Sequence, residues 1–257
     1  MNMDSLNKLK QFEENENSWF SFFSVFQDVG YAQIFINEKL ADDPLYNHAT
    51  SINCASQEAV EVLNRIASKF RKKRIIQCFY LSPLTSPSDF KRILEDNGFK
   101  EWDQLNIMEY VGPESDFNDD NIRVRRVGME AIKKWIRIFV SSFEIPLSQV
   151  QEYSVRNRFL FPRSDIDFYI AYIGGKAAGC AALYSKNSVG GIYVLGSLKE
   201  FRNRGIVSSI LKAAVTRSKE RNNDSLILQF LQKNNLESFY RNNGFKKVYS
   251  KTIYRLK

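Results

Sequence analysis

Glu200-Phe-Arg-Asn-Arg-Gly-Ile-Val-Ser-Ser-Ile-Leu211 follows an apolar run, Gly191-Ile-Tyr-Val-Leu-Gly-Ser-Leu198, and opens a helical pattern. Ile206, Ile210, Leu211, Ala214 and Val215 fall on one face of that helix. A strand, a short basic turn with a glycine, and a helix start together make an anion site. The free N–H groups of the first helical turn point outward, and the macrodipole puts partial positive charge there. Gly205 lets the backbone approach a bulky phosphate, and Arg202 and Arg204 add charge-assisted hydrogen bonds. The same pattern also describes a solvated helix cap, so the surrounding chain decides its meaning.

Outward from this stretch, the periodicities predict an ordered series. Ile122–Val127 alternates as a strand, and Met129–Phe143 and Leu147–Phe159 read as helices. Phe168–Ile173 and Ala177–Tyr184 read as strands joined across Gly174-Gly175. After the basic turn and its helix come a strand at Ser225–Leu231, a short helix at Leu236–Asn242, and strand structure from Phe245 to Leu256. Near the end stands Phe239-Tyr240-Arg-Asn-Asn-Gly244-Phe245.

These residues resemble the GCN5-related N-acetyltransferases, the GNAT superfamily. Arg202 and Gly205 match the Arg/Gln-x-x-Gly-x-Gly/Ala loop that binds the pyrophosphate of acyl-CoA after the fourth strand, with Val207 departing from its last small residue. The resemblance implies acetyl-CoA as co-substrate. It implies that Arg202, Asn203, Arg204, Gly205, Ile206, Val207 and Ser208 hold the pyrophosphate, and that Gly196, Ser197 and Leu198 face the pantetheine arm. Tyr240, four residues before Gly244-Phe245, matches the family tyrosine that gives a proton to the departing thiolate. A phenol of pKa about 10 is a competent donor. The family asparagine has no exact match: Lys233 and Leu236 stand at the expected spacings, and Asn234 and Asn235 lie close, with Asn235 the candidate contact. The glutamate that many members use as base is absent, which leaves Tyr193, Glu144, Glu200 or a water chain. The implied reaction is direct attack of a primary amine on acetyl-CoA in a ternary complex. The departures keep a second reading open, a catalytically silent acyl-CoA-binding or interaction protein.

The N-terminal half carries an echo of the other. Asn97-Gly98-Phe99-Lys100 and Asn243-Gly244-Phe245-Lys246 each follow a short helix and precede strand-like residues. Longer helices and buried strands stand before both, Ser56–Arg71 with Ile75–Leu81 and Ile206–Arg221 with Ser225–Leu231. Asn53-Cys-Ala-Ser-Gln-Glu58 has neither glycine nor arginine where the loop would be, and Leu94 stands in the place of Tyr240. The expectation is a tandem α/β (α+β) chain of two GNAT-like domains, each a mostly antiparallel sheet flanked by helices. Residues 1–111 form a degenerate domain without a CoA loop, 112–121 a polar linker, and 122–257 the acetyltransferase domain. Upstream, the aromatics between Trp19 and Phe26 predict a helix within 5–29, with Ser56 as cap of the next long helix and strands at Tyr31–Ile36 and Ala49–Cys54.

Charge is divided unevenly. Residues 1–121 hold 12 Lys/Arg against 20 Asp/Glu, and residues 122–257 hold 25 against 9. A basic half suits coenzyme A, nucleic acid, or pairing with the acidic half. No helix-turn-helix spacing or aromatic-basic interleaving points to nucleic acid. Three scattered cysteines and a single histidine, His48, exclude Cys-x-x-Cys zinc chemistry and a histidine triad. No apolar run is long enough for a membrane span, and Met1–Lys8 lacks the form of a signal peptide, so a cytoplasmic protein is expected. The acceptor, a small-molecule amine or a protein or peptide amine, and the state, monomer or homodimer, stay open.

Overall fold

The computed structural model describes residues 3–112 and 120–256, so most of the expected linker lies outside the described residues. Contacts divide the chain into two compact units. One holds the chain up to Ile107 with Phe230–Asn235 and the residues from Val248 onward; the other holds Met108–Gln229 and Leu236–Lys247.

The first unit opens with helix α1 (Met3–Ser21), then strands β1 (Val25–Asp28), β2 (Gln33–Ile36) and β3 (His48–Thr50). Helix α2 (Ala59–Lys73), strand β4 (Cys78–Leu81), helix α3 (Phe90–Asp96) and strand β5 (Phe99–Tyr110) follow. The aromatic run does not stay helical to residue 29. Trp19, Phe20 and Phe23 are buried, whereas Val25 and Phe26 extend into β1, where their backbone pairs with Ile36 and Phe35. Ser56 is not a cap either. It sits inside a short 3-10 turn, and the Glu58 carboxylate accepts from the Ala55 N–H at 3.3 Å. The amphipathic face of α2, with Leu63, Ile66 and Phe70, packs in one cluster with Ile34, Phe79, Phe90 and Leu94.

The second unit begins with strand β6 (Ile122–Val127), helices α4 (Ile132–Ser142) and α5 (Leu147–Leu160), and strands β7 (Ile166–Ile173), β8 (Lys176–Lys186) and β9 (Val189–Ser197). It continues through helix α6 (Ile206–Glu220), strand β10 (Ser225–Leu231) and helix α7 (Glu237–Asn242) to the last strand, β11 (Phe245–Leu256). Its sheet runs β10-β9-β8-β7-β6, antiparallel except where β10 lies parallel to β9. Trp135, on α4, is fully enclosed and donates from Nε1 to the Ala181 carbonyl at 3.2 Å. Phe161 and Phe168 stack beside it at 3.9 Å. The five apolar residues expected to share a face of α6 are all buried.

The end of the chain departs from its sequence order. Residues Thr252–Arg255 of β11 pair antiparallel with Cys78–Leu81 of β4, giving the first unit the order β1-β2-β3-β4-β11-β5. Ile253 and Tyr254 are fully buried there. The reading that kept 122–257 together has no local signal for this exchange, because a strand's choice of partner lies in long-range packing.

The internal echo holds at the level of backbone conformation. Gly98 and Gly244 share φ 85. Asn97 donates from Nδ2 to the Ile93 carbonyl, and Asn243 to that of Phe239, each at 2.8 Å. In each unit the strand before the long helix lies parallel to the strand after it, β3 with β4 and β9 with β10.

Candidate active site

The site is built where β9 and β10 part. Their parallel pairing runs from Val189 and Ser225 to Ile192 and Leu228 and ends there, while β9 stays bonded to β8 as far as Ser197. Just beyond the parting, β9 bulges. Tyr193 pairs with Ala182 and Gly196 with Cys180, so Val194 and Leu195 together oppose Ala181. Val194 takes φ 54, a left-handed conformation that is rare for a β-branched residue. A bulge re-aims backbone groups, and this one lies on the edge that β10 has left.

Alternation along a strand tells which groups face that edge. The Leu198 N–H donates to the Ala178 carbonyl at 2.8 Å, so Leu198 points toward β8, and its own carbonyl accepts from Phe201 at 2.9 Å. Ser197 therefore points the other way. Of the three backbone positions expected to face a pantetheine arm, Ser197 is the one directed at the open edge, and Leu198 is engaged within the fold. Gly196 has another role. A Cβ there would lie 2.9 Å from the Phe143 ring and 3.0 Å from Ser142 Cβ, so the glycine lets the end of α4 close on β9.

The basic turn follows. Asn203 and Gly205 both adopt left-handed backbone, φ 60 and φ 76. Gly205 is the N-cap of α6, and no side chain caps that helix. The first intrahelical bond runs from the Ser209 N–H to the Gly205 carbonyl at 2.9 Å, which leaves the N–H groups of Ile206, Val207 and Ser208 ahead of the ladder. Arg202 is exposed, and its Nη2 donates to the Ser142 carbonyl at 3.3 Å and lies 3.8 Å from Glu144 Oε1. Arg204 lies over the Phe201 ring at 6.0 Å. Val207 is half-buried at the second helical position.

Tyr240 is 6% exposed on α7, between the rings of Phe239 at 5.3 Å and Phe245 at 6.4 Å. Burial pushes its phenol up to about 12. It belongs to the same compact unit as the basic turn. Asn235, left-handed at φ 50 after a short 3-10 turn, falls in the other unit. Lys233 is engaged there too, 3.7 Å above the Trp102 ring and 3.7 Å from Asp103 Oδ2. Among the candidate bases, Glu144 and Glu200 are exposed and Tyr193 is buried. His48 is enclosed between Phe35 and Tyr80, at 4.8 and 4.2 Å, and burial brings its pKa down to about 3. It is a neutral core residue.

Sequence reasoning missed the Val194–Leu195 bulge and the bracing of Arg202 by α4. The first has no compositional signal, and the second joins residues 60 positions apart.

Residues 164–247 match the family model described as the acetyltransferase (GNAT) domain. Over that stretch the chain is similar to a GNAT domain. Solved structures extend the fold likeness over nearly its whole length. A GCN5-related N-acetyltransferase from Kribbella flavida aligns with TM-score 0.72 at 13% identity, covering 99% of this chain and 96% of that one. One from Sphaerobacter thermophilus aligns at 0.69 and 13%, covering 88% and 76%. A functionally unknown conserved protein from Staphylococcus epidermidis aligns at 0.68 and 14%, covering 91% and 93%. No curated protein matches the chain.

Proposed function

We propose that this protein is an acetyl-CoA-dependent N-acetyltransferase that moves an acetyl group to a primary amine by direct attack in a ternary complex. One observation carries the reading: the parting of β9 from β10 ends at the uncapped N-terminus of α6, with Gly205 at φ 76. That combination gives an anion cradle beside an unpaired strand edge. It fits a ligand with a pyrophosphate at one end and an amide-bearing arm, because the cradle offers N–H donors and the edge offers strand-like pairing.

Asn203–Ser208, with Arg202, would hold the pyrophosphate. Ser197 would pair with the arm, and the bulge at Val194–Leu195 would aim backbone N–H groups at the acyl carbonyl. Bound acetyl-CoA supplies an activated thioester; the amine forms the new C–N bond as the C–S bond breaks. Tyr240 keeps its proton throughout the neutral range and would donate a hydrogen bond to the thiolate sulfur. The amine proton leaves to water, since the exposed Glu144 is drawn toward Arg202. Positioning supplies most of the rate.

In this reading residues 122–257 supply the acetyltransferase domain, with the strand from Val248 onward lent to the sheet of the GNAT-like domain of 1–111, which has no CoA loop, and 112–121 are the linker. The unpaired thiols of Cys54, Cys78 and Cys180 suit the reducing cytoplasm. Isothermal titration with acetyl-CoA, followed by thiol release across a panel of amines, tests it. Saturable binding and amine-dependent release are expected; a folded protein that shows neither at millimolar ligand sinks the proposal.

A further inference from the structure

At the far edge of the second unit's sheet, a cavity of about 450 Å³ lies against β6, the β7–β8 turn and the start of α4. Arg123, Arg125, Lys134 and Tyr172 line it, with Asp120 as its acidic member. Arg125 lies 5.9 Å and Lys134 5.7 Å from the Tyr172 ring centroid, so two cations from different elements converge on one ring. Among the described residues, Arg123, Arg125 and Lys134 make no ion pair. Three convergent cations against the single carboxylate of Asp120 leave the cavity net positive, which raises the energy of the free protein, and an anion there removes that cost. Charge on an edge strand deters unwanted pairing, which accounts for the two β6 arginines. It does not account for Lys134, which comes from a helix to the same ring.

The hairpin adds backbone to the cavity. Gly174 and Gly175 are both left-handed, and a Cβ at either would meet nothing within 4 Å, so this wall is open to a ligand. Two guanidinium forks and an ammonium around a concavity suit a compact dianion with oxygens in several directions. We infer that this pocket binds a phosphate monoester group.

Strand register sets where such a group could come from. Ser197, at the start of the basic turn, pairs with Gly179, and Lys176, beside the hairpin, lies three residues further along β8. That is roughly 10 Å along the strand, and β6 lies two strand spacings, roughly another 10 Å, to the side of β8. The phosphate is therefore either a monoester on the ligand held by the basic turn, as in the ribose 3′-phosphate of coenzyme A, or a separate phosphorylated molecule. The first source rests on the acetyl-CoA reading; the pocket's affinity for phosphate does not.

The test begins with inorganic phosphate, followed through the amide shifts of Gly174 and Gly175 at constant ionic strength set with chloride. Saturable shifts are expected, and Arg125→Ala with Lys134→Ala should weaken the affinity at least about tenfold. Both side chains are exposed, and an unchanged circular dichroism spectrum and Tm checks that the variant folds. No saturable shift, or an unchanged affinity in the folded double variant, overturns the inference. Coenzyme A and 3′-dephospho-coenzyme A identify the source. Tighter binding of coenzyme A that vanishes in the variant assigns the pocket to its 3′-phosphate. Equal binding of the two, with phosphate still saturating the pocket, assigns it to a separate phosphorylated ligand.

Discussion

The Ser142 carbonyl accepts a hydrogen bond from Nη2 of Arg202 at 3.3 Å, which ties the last turn of α4 to the turn that opens α6. Glu144, left-handed at φ 52 just past α4, holds the same guanidinium from 3.8 Å. Arg202 is therefore oriented by a carbonyl and neutralised by a carboxylate. Both partners are substantially exposed, so the ion pair contributes about 0–1 kcal/mol. Glu144→Gln should tighten acetyl-CoA binding by about two- to fivefold, since a phosphate need not displace a carboxylate. Arg202→Ala should weaken it by about tenfold or more. Titration calorimetry of the two variants checks the opposite signs; weaker binding in Glu144→Gln would show the carboxylate to be part of the site.

Gly205 supplies the left-handed N-cap of α6 at φ 76. Gly205→Glu should abolish acetyl-CoA binding, because it places a negative charge where the pyrophosphate would lie. It should also cost about 1–2 kcal/mol from backbone strain. Gly205→Asn separates the two effects, since asparagine tolerates this conformation and carries no charge. The asparagine variant should keep the stability of the parent and lose only part of the affinity. Binding by the folded glutamate variant at the parent's affinity would mean that the turn holds no phosphate.

Much of this arrangement is legible in the sequence for a physical reason. The series from Ile122 to Leu256 is set by local periodicity, and β6, β10 and β11 fall at their expected bounds. Gly205 at the start of α6 is legible because a helix start needs particular residue types. What escaped detection depends on distant partners. Val194 takes its conformation because Tyr193 and Gly196 keep register with β8 around it. Ser197 and Leu198 are neighbours in sequence, yet their backbone groups face opposite edges of the strand. The burial of Lys251 with two glutamates has no periodic signal at all.

Tyr240 is held protonated by burial, its pKa pushed up to about 12. The group is neutral when protonated, so it donates a hydrogen bond at every pH below that value. The pH dependence of kcat between 6 and 10 should show no falling limb from this residue. Tyr240→Phe should lower kcat by about 10- to 100-fold with little change in KM, because the hydroxyl acts on a charge that develops only during the reaction. Steady-state kinetics over that pH range decide it. A KM effect alone would recast Tyr240 as a packing residue.

Lys251, on β11, is fully buried between α1 carboxylates, 2.9 Å from Glu16 and 3.8 Å from Glu13. Burial raises the Glu16 pKa more than Lys251 lowers it. Burial acts to lower the Lys251 pKa, but the two carboxylates outweigh it and hold the ammonium charged above its usual range. Lys251→Met keeps the length of the side chain and leaves two carboxylates unpaired in a core, at a cost of about 3–5 kcal/mol at pH 7. The sign with pH follows. A carboxylate whose folded pKa is raised opposes folding above its unfolded value near 4.3 and ceases to oppose it as pH falls through the raised value. The deficit of Lys251→Met should therefore shrink between pH 7 and pH 5, and adding Glu13→Gln and Glu16→Gln should recover part of it at pH 7. Urea unfolding of the three proteins at both pH values measures this. A deficit independent of pH would show that lost packing, rather than unpaired charge, destabilises the strand.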